Sequence, residues 1–377
     1  MENRPAAQRE YGLDVLRVFA FGVLILYHSG MGYVTWGWHV KNNELSTGLE
    51  WVMLFANRWR LPLLFFISGA GVAFSLRRRT MGEFARERAG RLLPPLLMAI
   101  FVVVPPQIYF EHVAKGREYG SYFEFWKTVF QFVPYPKGAF SWHHMWFVVY
   151  ILVYALASIP LFVWLRGEAG RRFLAGLAGW LESSPVWIYL VTLPNLVVAL
   201  TLGPRFPTTN ALIGDWANLT GAWLTFLWGY VFASERRLLD LLERRRREFL
   251  IGAVLVVAVF YGMRMARVGG LAGELASSYF GMLFIFWLTG YARAWFRSDS
   301  RWLRYWTEGV FPLYLIHQTV TVALVFAMRE WEMSLWVKLG LAAAGTFAGS
   351  IVFADLARRT GPLRPWLGLK AIPSAGR

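Results

Sequence analysis

Residues 11–33 constrain the fold more strongly than any other part of the chain. Residues 18–27 carry no charge, and the whole stretch is long enough to cross a bilayer as one helix. It nevertheless contains Asp14, Arg17 and His28. Ionisable side chains at membrane depth are costly and are candidates for function by default. The stretch therefore predicts a membrane-spanning helix that carries a functional site.

The spacing of these three residues predicts how they are arranged. Arg17 and His28 are eleven residues apart, which is about three helical turns, so both side chains lie on one face. They are separated by about 16 Å along the axis. Asp14 is three residues before Arg17 and within pairing distance. The alternative interpretation is a snorkelling arginine and a buried histidine with only a structural hydrogen bond.

The composition indicates a polytopic helical membrane protein. Of the 377 residues, 56% are hydrophobic and the mean hydropathy is +0.41, which is unusual for a soluble domain. The 20 Trp and 16 Tyr agree with aromatic belts at two membrane interfaces. We expect no cleavable signal, because the N-terminus is polar and the first apolar run is long. The absence of cysteine excludes disulfides and a cysteine nucleophile.

Apolar runs predict an all-α fold of about ten transmembrane helices, with a single transmembrane domain over residues 1–377. We expect its core at about 8–356 and a short basic cytoplasmic tail at 357–377. The predicted spans are approximately 13–33, 51–76, 92–112, 143–165, 186–203, 216–233, 249–264, 275–296, 308–328 and 335–356.

The distribution of charge predicts the orientation. With both termini in the cytoplasm, 26 of the 39 Lys and Arg residues fall in cytoplasmic segments and 10 on the other side. The remaining three are Arg17, Arg58 and Arg60. Topology thus explains much of the net charge of +16, and no nucleic-acid partner is needed. All six histidines fall within the membrane or on the outer side, so proton chemistry is expected there.

Further candidates lie at both ends of the predicted bundle. Arg60 is near the outer end of the second span, and Ser68 belongs to a run of small residues that lets a helix or a ligand approach closely. Arg88 and Arg91 are one turn apart at the inner end of the third span. Arginine suits phosphate recognition through its planar fork, although positive-inside topology explains these two equally well.

Two histidine positions complete the set of candidates. Adjacent residues on a helix do not face the same way, so one of His143 and His144 is expected to point inward. Their i, i+1 spacing is poor for a metal, and we predict no metal site. His317 lies in an apolar span beside Gln318 and is costly there unless it is paired. It could orient His28 or polarise an acceptor, or form only a helix–helix hydrogen bond.

Five ordered blocks make the chain resemble the membrane-bound acyltransferase 3 family over about residues 8–356. The blocks are Gln8-Arg9-Glu10-Tyr11 with Leu13-Asp14-x-x-Arg17, ten residues and His28; Arg60 followed by Phe65-Phe66-Ile67-Ser68-Gly69; Arg88-x-x-Arg91-x-x-x-Pro95; His144-Met145-Trp146-Phe147; and Tyr314-Leu315-Ile316-His317. Two positions depart from the family pattern: His143 replaces a small polar residue, and Gln318-Thr319 follows His317. These departures bear on which acceptor is recognised more than on the acyl-transfer reaction itself.

The resemblance implies an enzyme of the bacterial inner membrane. It implies transfer of an acyl group from cytoplasmic acyl-CoA, either succinyl-CoA or acetyl-CoA, to a hydroxyl of an extracytoplasmic glycan. For the branch that modifies periplasmic glucans, the group would be succinyl. No tightly bound cofactor is expected, and a homodimer is left open. In this interpretation Asp14, Arg17, His28, His144 and His317 serve catalysis, and Arg17, Arg60, Ser68, Arg88 and Arg91 bind the donor.

Other classes of function were weighed against this one. A glycan or lipid-linked sugar transporter would also use intramembrane charges and small-residue helices, but it favours repeated broken helices, which the sequence lacks. A structural subunit would tolerate loss of His28. Within the acyltransferase interpretation, His28 acts either as a general base or through an acyl-histidine intermediate.

Overall fold

The protein is described by a computed structural model that covers residues 9–372. Within this range the chain consists of helices and connecting loops and contains no β-strand, apart from an isolated bridge between Pro134 and Phe140. The predicted all-α fold is therefore confirmed. Residue Gln8 of the first sequence block, the N-terminus before it and the last five residues of the basic tail lie outside the described range.

Fifteen α-helices follow one another in this part of the chain. They are α1 (Tyr11–Met31), α2 (Thr47–Leu76), α3 (Met81–Met98), α4 (Pro105–Ala114), α5 (Tyr122–Lys127), α6 (Trp146–Ala157), α7 (Ile159–Arg166), α8 (Glu168–Ser183), α9 (Leu193–Thr201), α10 (Trp216–Ser234), α11 (Arg236–Arg244), α12 (Arg246–Met265), α13 (Gly270–Trp295), α14 (Arg301–Met328) and α15 (Leu335–Arg359). A π-helical turn, Ala99–Val103, joins α3 to α4, and 3₁₀ segments occur at Thr128–Gln131, His143–Met145, Trp187–Thr192 and Gly361–Leu367.

Seven helical segments in residues 9–372 are long and apolar enough to cross a membrane, which confirms a multi-pass architecture. They are α1, α2, Met81–Ala114, α12, α13, α14 and α15. An eighth crossing results if His143–Ala157 and Ile159–Arg166, which meet at a 50° bend, form one span.

The predicted count of ten is not confirmed, although a helix occupies each of the ten predicted positions. Trp187–Thr201 is too short to count as a full span, and α10 is not apolar enough. The first segment fails by its length, whereas α10 carries polar side chains among its apolar ones. Asn195, Asn218 and Thr225 line a cavity that is described below.

Side-chain caps fix where several long helices begin. The Ser46 hydroxyl accepts a hydrogen bond from the Leu49 amide at 3.2 Å at the start of α2. Thr80 and Glu83 form a reciprocal capping box that starts α3. Such caps satisfy amide groups that a helix start leaves free, and each stabilises the helix by about 1 kcal/mol.

The long helices alternate between two ends of the bundle. At the basic end, where α1 and α3 begin and α2 terminates, Arg77 donates to the Ala233 carbonyl at 2.7 Å. Buried Arg293 pairs there with Glu10 at 3.1 Å and with Asp240 at 2.9 Å. At the opposite end, the histidine end, α1 terminates and α2 and α6 begin. Which end faces the cytoplasm, and with it the position of both termini, stays a prediction.

Helices α2 and α10 pack closely through glycine. A Cβ atom on Gly69 would lie 1.8 Å from the Phe226 carbonyl oxygen, and one on Gly229 would lie 1.9 Å from the Phe66 oxygen. Neither position tolerates a side chain without separating the helices. The small residues of α2 thus serve helix packing at Gly69, which was one of the two interpretations of this run.

Candidate functional site

Two histidines from distant parts of the chain meet between α1 and α14. The His28 Nδ1 and His317 Nε2 atoms are 2.7 Å apart, and the planes of the two rings are inclined by only 16°, with centroids at 5.0 Å. His317 is completely buried. The contact with His28 is one of the roles that the sequence left open for His317, and it is also a hydrogen bond between two helices.

Hydrogen bonding determines which ring nitrogens carry protons. The His317 Nδ1 atom lies 2.6 Å from the Tyr314 carbonyl oxygen, which can only accept a hydrogen bond. In a neutral ring the proton is then on Nδ1, and Nε2 accepts from His28 Nδ1–H. The remaining nitrogen of His28, Nε2, is left with a free lone pair. This is the arrangement that a general base requires, because a second group holds the ring in one tautomer.

His144 contacts His317 from the 3₁₀ segment that precedes α6. Its ring lies edge-to-face against His317, with centroids at 5.2 Å, and its Nε2 donates to the Leu315 carbonyl at 3.0 Å. The Tyr314 hydroxyl donates to the His144 carbonyl. His144 thus points into the bundle, while His143 stacks on His39 with ring centroids at 4.6 Å. As expected from their spacing, the two adjacent histidines face different surroundings.

His28 opens onto a polar cavity of about 650 Å³. His144 and Tyr314 also line it. Most of the remaining polar lining comes from α2, α9, α10, α13 and the loop before α10, namely Asn57, Arg58, Arg60, Asn195, Thr208, Asn210, Asn218, Thr225, Glu274, Ser277 and Ser278. Amides, hydroxyls and charged groups of this kind hydrogen-bond to polyhydroxylated ligands. The cavity could therefore hold a hydroxyl-bearing molecule against His28.

Arg60 lies in this cavity wall beside the first helix. Its guanidinium carbon is 3.3 Å from the ring centroid of Tyr27, the residue before His28, and its Nη1 donates to Asn57 Oδ1 at 2.7 Å. The residue is only 4% exposed. Arg58 lies two residues away and donates to Ser277 Oγ at 2.8 Å.

A polar network supports the histidines from the side of α4. The π-helical turn frees backbone carbonyls, and the Val103 oxygen accepts from Thr319 Oγ1 at 2.6 Å. Thr319 lies 2.8 Å from Gln107 Nε2, and the Gln107 Oε1 atom accepts from Gln318 at 3.0 Å. The departure from the family pattern at Gln318-Thr319 is thus matched by partners on α4.

His39, Glu111 and His143 form a second cluster at the histidine end. The His39 Nδ1 atom is 2.7 Å from Glu111 Oε2, and the potential ligand atoms of all three residues lie within 4.8 Å of one another. This is a ligand set that a metal could use. However, the His39 and His143 rings lie nearly parallel with centroids at 4.6 Å, and Glu111 already accepts from Lys115 and Tyr135. A hydrogen-bonded cluster accounts for this geometry, and the absence of a metal site stays a prediction.

Three of the four arginines predicted to bind the donor, Arg17, Arg88 and Arg91, lie at the basic end, whereas Arg60 lies beside His28. Arg17 pairs with Asp14 at 3.3 Å, and Asp14 also accepts from Arg9 at 2.7 Å. Arg88 reaches toward the Gly71 carbonyl at 3.5 Å, and Arg17 lies near the same glycine. Both Arg88 and Arg91 are near Glu87, at 3.6 and 3.8 Å.

The predicted residues therefore divide into two groups, one at each end of α1. Asp14 and Arg17 lie near the start of α1 with Arg88, and His28 lies near its end with His144, His317 and Arg60. Ser68 donates its hydroxyl to the Leu64 carbonyl of its own helix at 2.7 Å, so its role in binding stays a prediction.

Sequence reasoning missed three polar residues near the histidines. Gln107 and Glu111 are four residues apart in an apolar span, and that spacing could have identified them. Asn57 had no such signal, because it lies in a polar segment of α2.

The chain matches one protein family and is similar to several curated proteins. The family model of the acyltransferase domain, acyltransferase 3, matches residues 10–355. Among curated relatives, the glucans biosynthesis protein C of Salmonella paratyphi B (strain ATCC BAA-1250 / SPB7), of Salmonella heidelberg (strain SL476) and of Salmonella agona (strain SL483) are each 27% identical over 163 residues. Each alignment covers 42% of this chain and 41% of the relative, so the match spans less than half the length of these proteins. No solved structure matches. Because the family model covers most of the sequence, the chain belongs to the acyltransferase 3 family of membrane proteins.

Proposed function

We propose that this membrane acyltransferase transfers a succinyl group from cytoplasmic acyl-CoA to a hydroxyl of a periplasmic glucan. The proposal includes a location in the bacterial inner membrane, with the basic end in the cytoplasm and the histidine end in the periplasm. The matched relatives are named for glucan biosynthesis, which supports the acceptor class. Acetyl-CoA is the alternative donor, and membrane lipid is the surrounding partner.

The observation that carries the proposal is the state of His28. Its Nδ1 is held by His317, and the ring faces a cavity with polar walls. A free Nε2 at this position can remove a proton from an acceptor hydroxyl. Imidazole suits this task because its ordinary pKa lies close to neutrality.

The transfer needs no protein nucleophile. The His28 Nε2 atom accepts the hydroxyl proton while the hydroxyl oxygen attacks the thioester carbonyl carbon. The new C–O bond forms, the C–S bond breaks, and the departing CoA sulfur takes the proton back from the imidazolium. His28 is neutral again at the end of each cycle. His317 stabilises the imidazolium, because its Nε2 accepts from the charged ring.

The two ends of α1 divide the substrates. Arg17, Arg88 and Arg91 would bind the phosphates of CoA at the basic end, where planar guanidinium groups suit phosphate oxygens. The distance from Arg17 to His28 is about 16 Å along the helix, and the extended pantetheine arm would follow this path. The polar cavity would hold the glucan at the opposite end.

A gradient-free assay tests this function. Purified protein is incubated with labelled succinyl-CoA and periplasmic glucan, and label on the glucan is measured. We expect transfer by the wild type and a loss of about 10²- to 10⁴-fold in kcat for His28→Ala, which is the usual contribution of general-base catalysis. Unchanged binding of acyl-CoA shows that the variant is folded. Wild-type activity in His28→Ala would exclude the proposed chemistry.

The same assay without glucan separates the two mechanisms. Direct transfer predicts no label on the protein after incubation with labelled acyl-CoA and rapid denaturation. Stoichiometric label on His28, identified by mass spectrometry, would indicate a covalent acyl-histidine intermediate instead.

A further inference from the structure

The cavity beside His28 contains a buried arginine that lacks an anionic partner. Arg60 is 4% exposed, and within residues 9–372 no carboxylate oxygen lies within 4.0 Å of its guanidinium nitrogens. The guanidinium contacts the Tyr27 ring and the neutral Asn57 side chain, and its Nε has no partner among the described residues. The charge is therefore buried without an anionic partner among the described residues.

Such an arrangement is unfavourable unless another group supplies the negative charge. A buried cation costs several kcal/mol when it is removed from water and not paired. Arginines inside membrane proteins accordingly pair with a counter-ion or line a substrate path. Because Arg60 lines the cavity, the missing anion can reach it from there.

The position of Arg60 indicates which anion this is. Its guanidinium stacks on Tyr27, the residue next to His28, so it lies beside the place where the acyl group is transferred. A dicarboxylic acyl group has a free carboxylate a few C–C bonds of about 1.5 Å from its thioester carbonyl. With that carbonyl at His28, the carboxylate is within reach of the neighbouring cavity wall.

The other charged groups in the cavity agree with this assignment. Glu274 is the one carboxylate among the lining residues of the described range. Glu274 belongs to α13 and is three residues before Ser277, whose hydroxyl accepts a hydrogen bond from Arg58. The carboxylate therefore lies on the side of the cavity where Arg58 contacts α13. Arg60 is fixed on the α1 side by Tyr27 and is left available for a ligand.

We propose that Arg60 binds the free carboxylate of the transferred acyl group and makes the enzyme selective for a dicarboxylic acyl donor. This inference depends on the proposed acyl transfer and adds the residue that selects the acyl group. The bond is charge-assisted, and the planar guanidinium can hold both carboxylate oxygens. A monocarboxylic group such as acetyl would leave Arg60 unpaired.

A competing role for Arg60 is stabilisation of the oxyanion that forms during attack on the thioester. This role concerns the carbonyl oxygen, which succinyl and acetyl donors share. The two roles therefore differ in their effect on donor selectivity, although both predict lower activity without Arg60.

The test measures kcat/KM with succinyl-CoA and with acetyl-CoA for the wild type, Arg60→Gln and Arg60→Lys. Carboxylate binding predicts that the succinyl-to-acetyl ratio falls by about 10- to 100-fold in Arg60→Gln, the effect of losing a charged hydrogen bond. Arg60→Lys keeps the charge without the fork and should retain part of the selectivity. An unchanged ratio with both activities lowered would assign Arg60 to the oxyanion and overturn the proposal.

Arg58→Gln is the matched control. It removes the same charge from the same cavity two residues away, and its donor ratio should stay within about threefold of the wild type. An equal shift in Arg58→Gln would overturn the specific role of Arg60. Failure of the wild type to transfer either group would refute acyl transfer itself, whereas transfer of acetyl but not succinyl would refute the succinyl donor and the role of Arg60 but leave acyl transfer standing. Melting temperatures confirm that each variant is folded.

Discussion

Replacing His317 with leucine tests whether His28 depends on its partner. The substitution removes the 2.7 Å hydrogen bond between the two rings and leaves the His28 Nδ1–H without an acceptor. When His28 takes a proton, this bond becomes charge-assisted and contributes about 1.5 to 3 kcal/mol. Since about 1.4 kcal/mol corresponds to tenfold in rate, we expect kcat to fall by about 10- to 150-fold.

The effect should be distinguishable from a general loss of stability. His317→Leu also leaves the Tyr314 carbonyl without its side-chain partner, so some loss of thermal stability is expected. Thr321→Val is the matched control. Thr321 is buried one turn away, donates to the His317 carbonyl at 2.8 Å and does not contact the imidazole ring. It should lose stability with a change in kcat below about threefold.

Label transfer from succinyl-CoA at saturating donor and glucan measures the change. His317→Gln provides a rescue, because its amide oxygen can accept from His28 Nδ1–H. We expect it to recover part of the activity lost in His317→Leu. If His317→Leu stays within threefold of the wild type, or if Thr321→Val loses as much activity, the orienting role of His317 is wrong.

Three further predictions follow from other parts of the structure. Arg88→Gln and Arg91→Gln together should raise the KM for acyl-CoA with little change in glucan affinity. Lysine at these positions should restore part of the donor affinity. An unchanged donor KM would indicate that the two arginines serve only the positive-inside topology. Burial lowers the pKa of Lys41, whose ammonium donates to the Met31 and Val34 carbonyls, to about 8, below its ordinary value of 10.5. The folded state thus binds fewer protons than the unfolded state between these values, and stability rises with pH in this window. The difference in melting temperature between the wild type and Lys41→Gln should therefore shift in favour of the wild type from pH 7.5 to 9.5. Melting temperatures that change in parallel for the two proteins would contradict this prediction. Gly69→Ala should destabilise the protein by about 1 to 3 kcal/mol, because the added Cβ lies 1.8 Å from the Phe226 oxygen. Gly82→Ala is the control and should not destabilise the protein, because no atom lies within 4 Å of a Cβ added at residue 82.

The sequence was sufficient to predict the fold class and the positions of the helices. Long apolar runs bounded by polar segments determine these features locally, and a helix occurs at each predicted position. The number of membrane crossings was harder to predict. The helical segment Trp187–Thr201 is shorter than the apolar run at 186–203 suggested, and α10 is less apolar than a full span, with Asn218 facing an internal cavity.

The candidate site was predictable only in part. The shared face of Arg17 and His28 follows from helical geometry, because both lie on α1. The contact between His28 and His317 joins residues 289 positions apart, so it depends on how α1 and α14 pack. The cluster of His39, Glu111 and His143 brings together three segments, and no spacing within the sequence indicates such a contact.

A sided assay in proteoliposomes tests the central claim most directly, namely that donor and acceptor occupy opposite ends of one bundle. A Gly120→Cys variant reports orientation by its accessibility to an impermeant label, and the native chain has no other cysteine. Labelled succinyl-CoA is supplied on the side of the basic end and glucan on the side of residue 120. We expect label on the glucan across the intact membrane, and none when the two substrates exchange sides. Transfer only when both substrates share one side would contradict this arrangement.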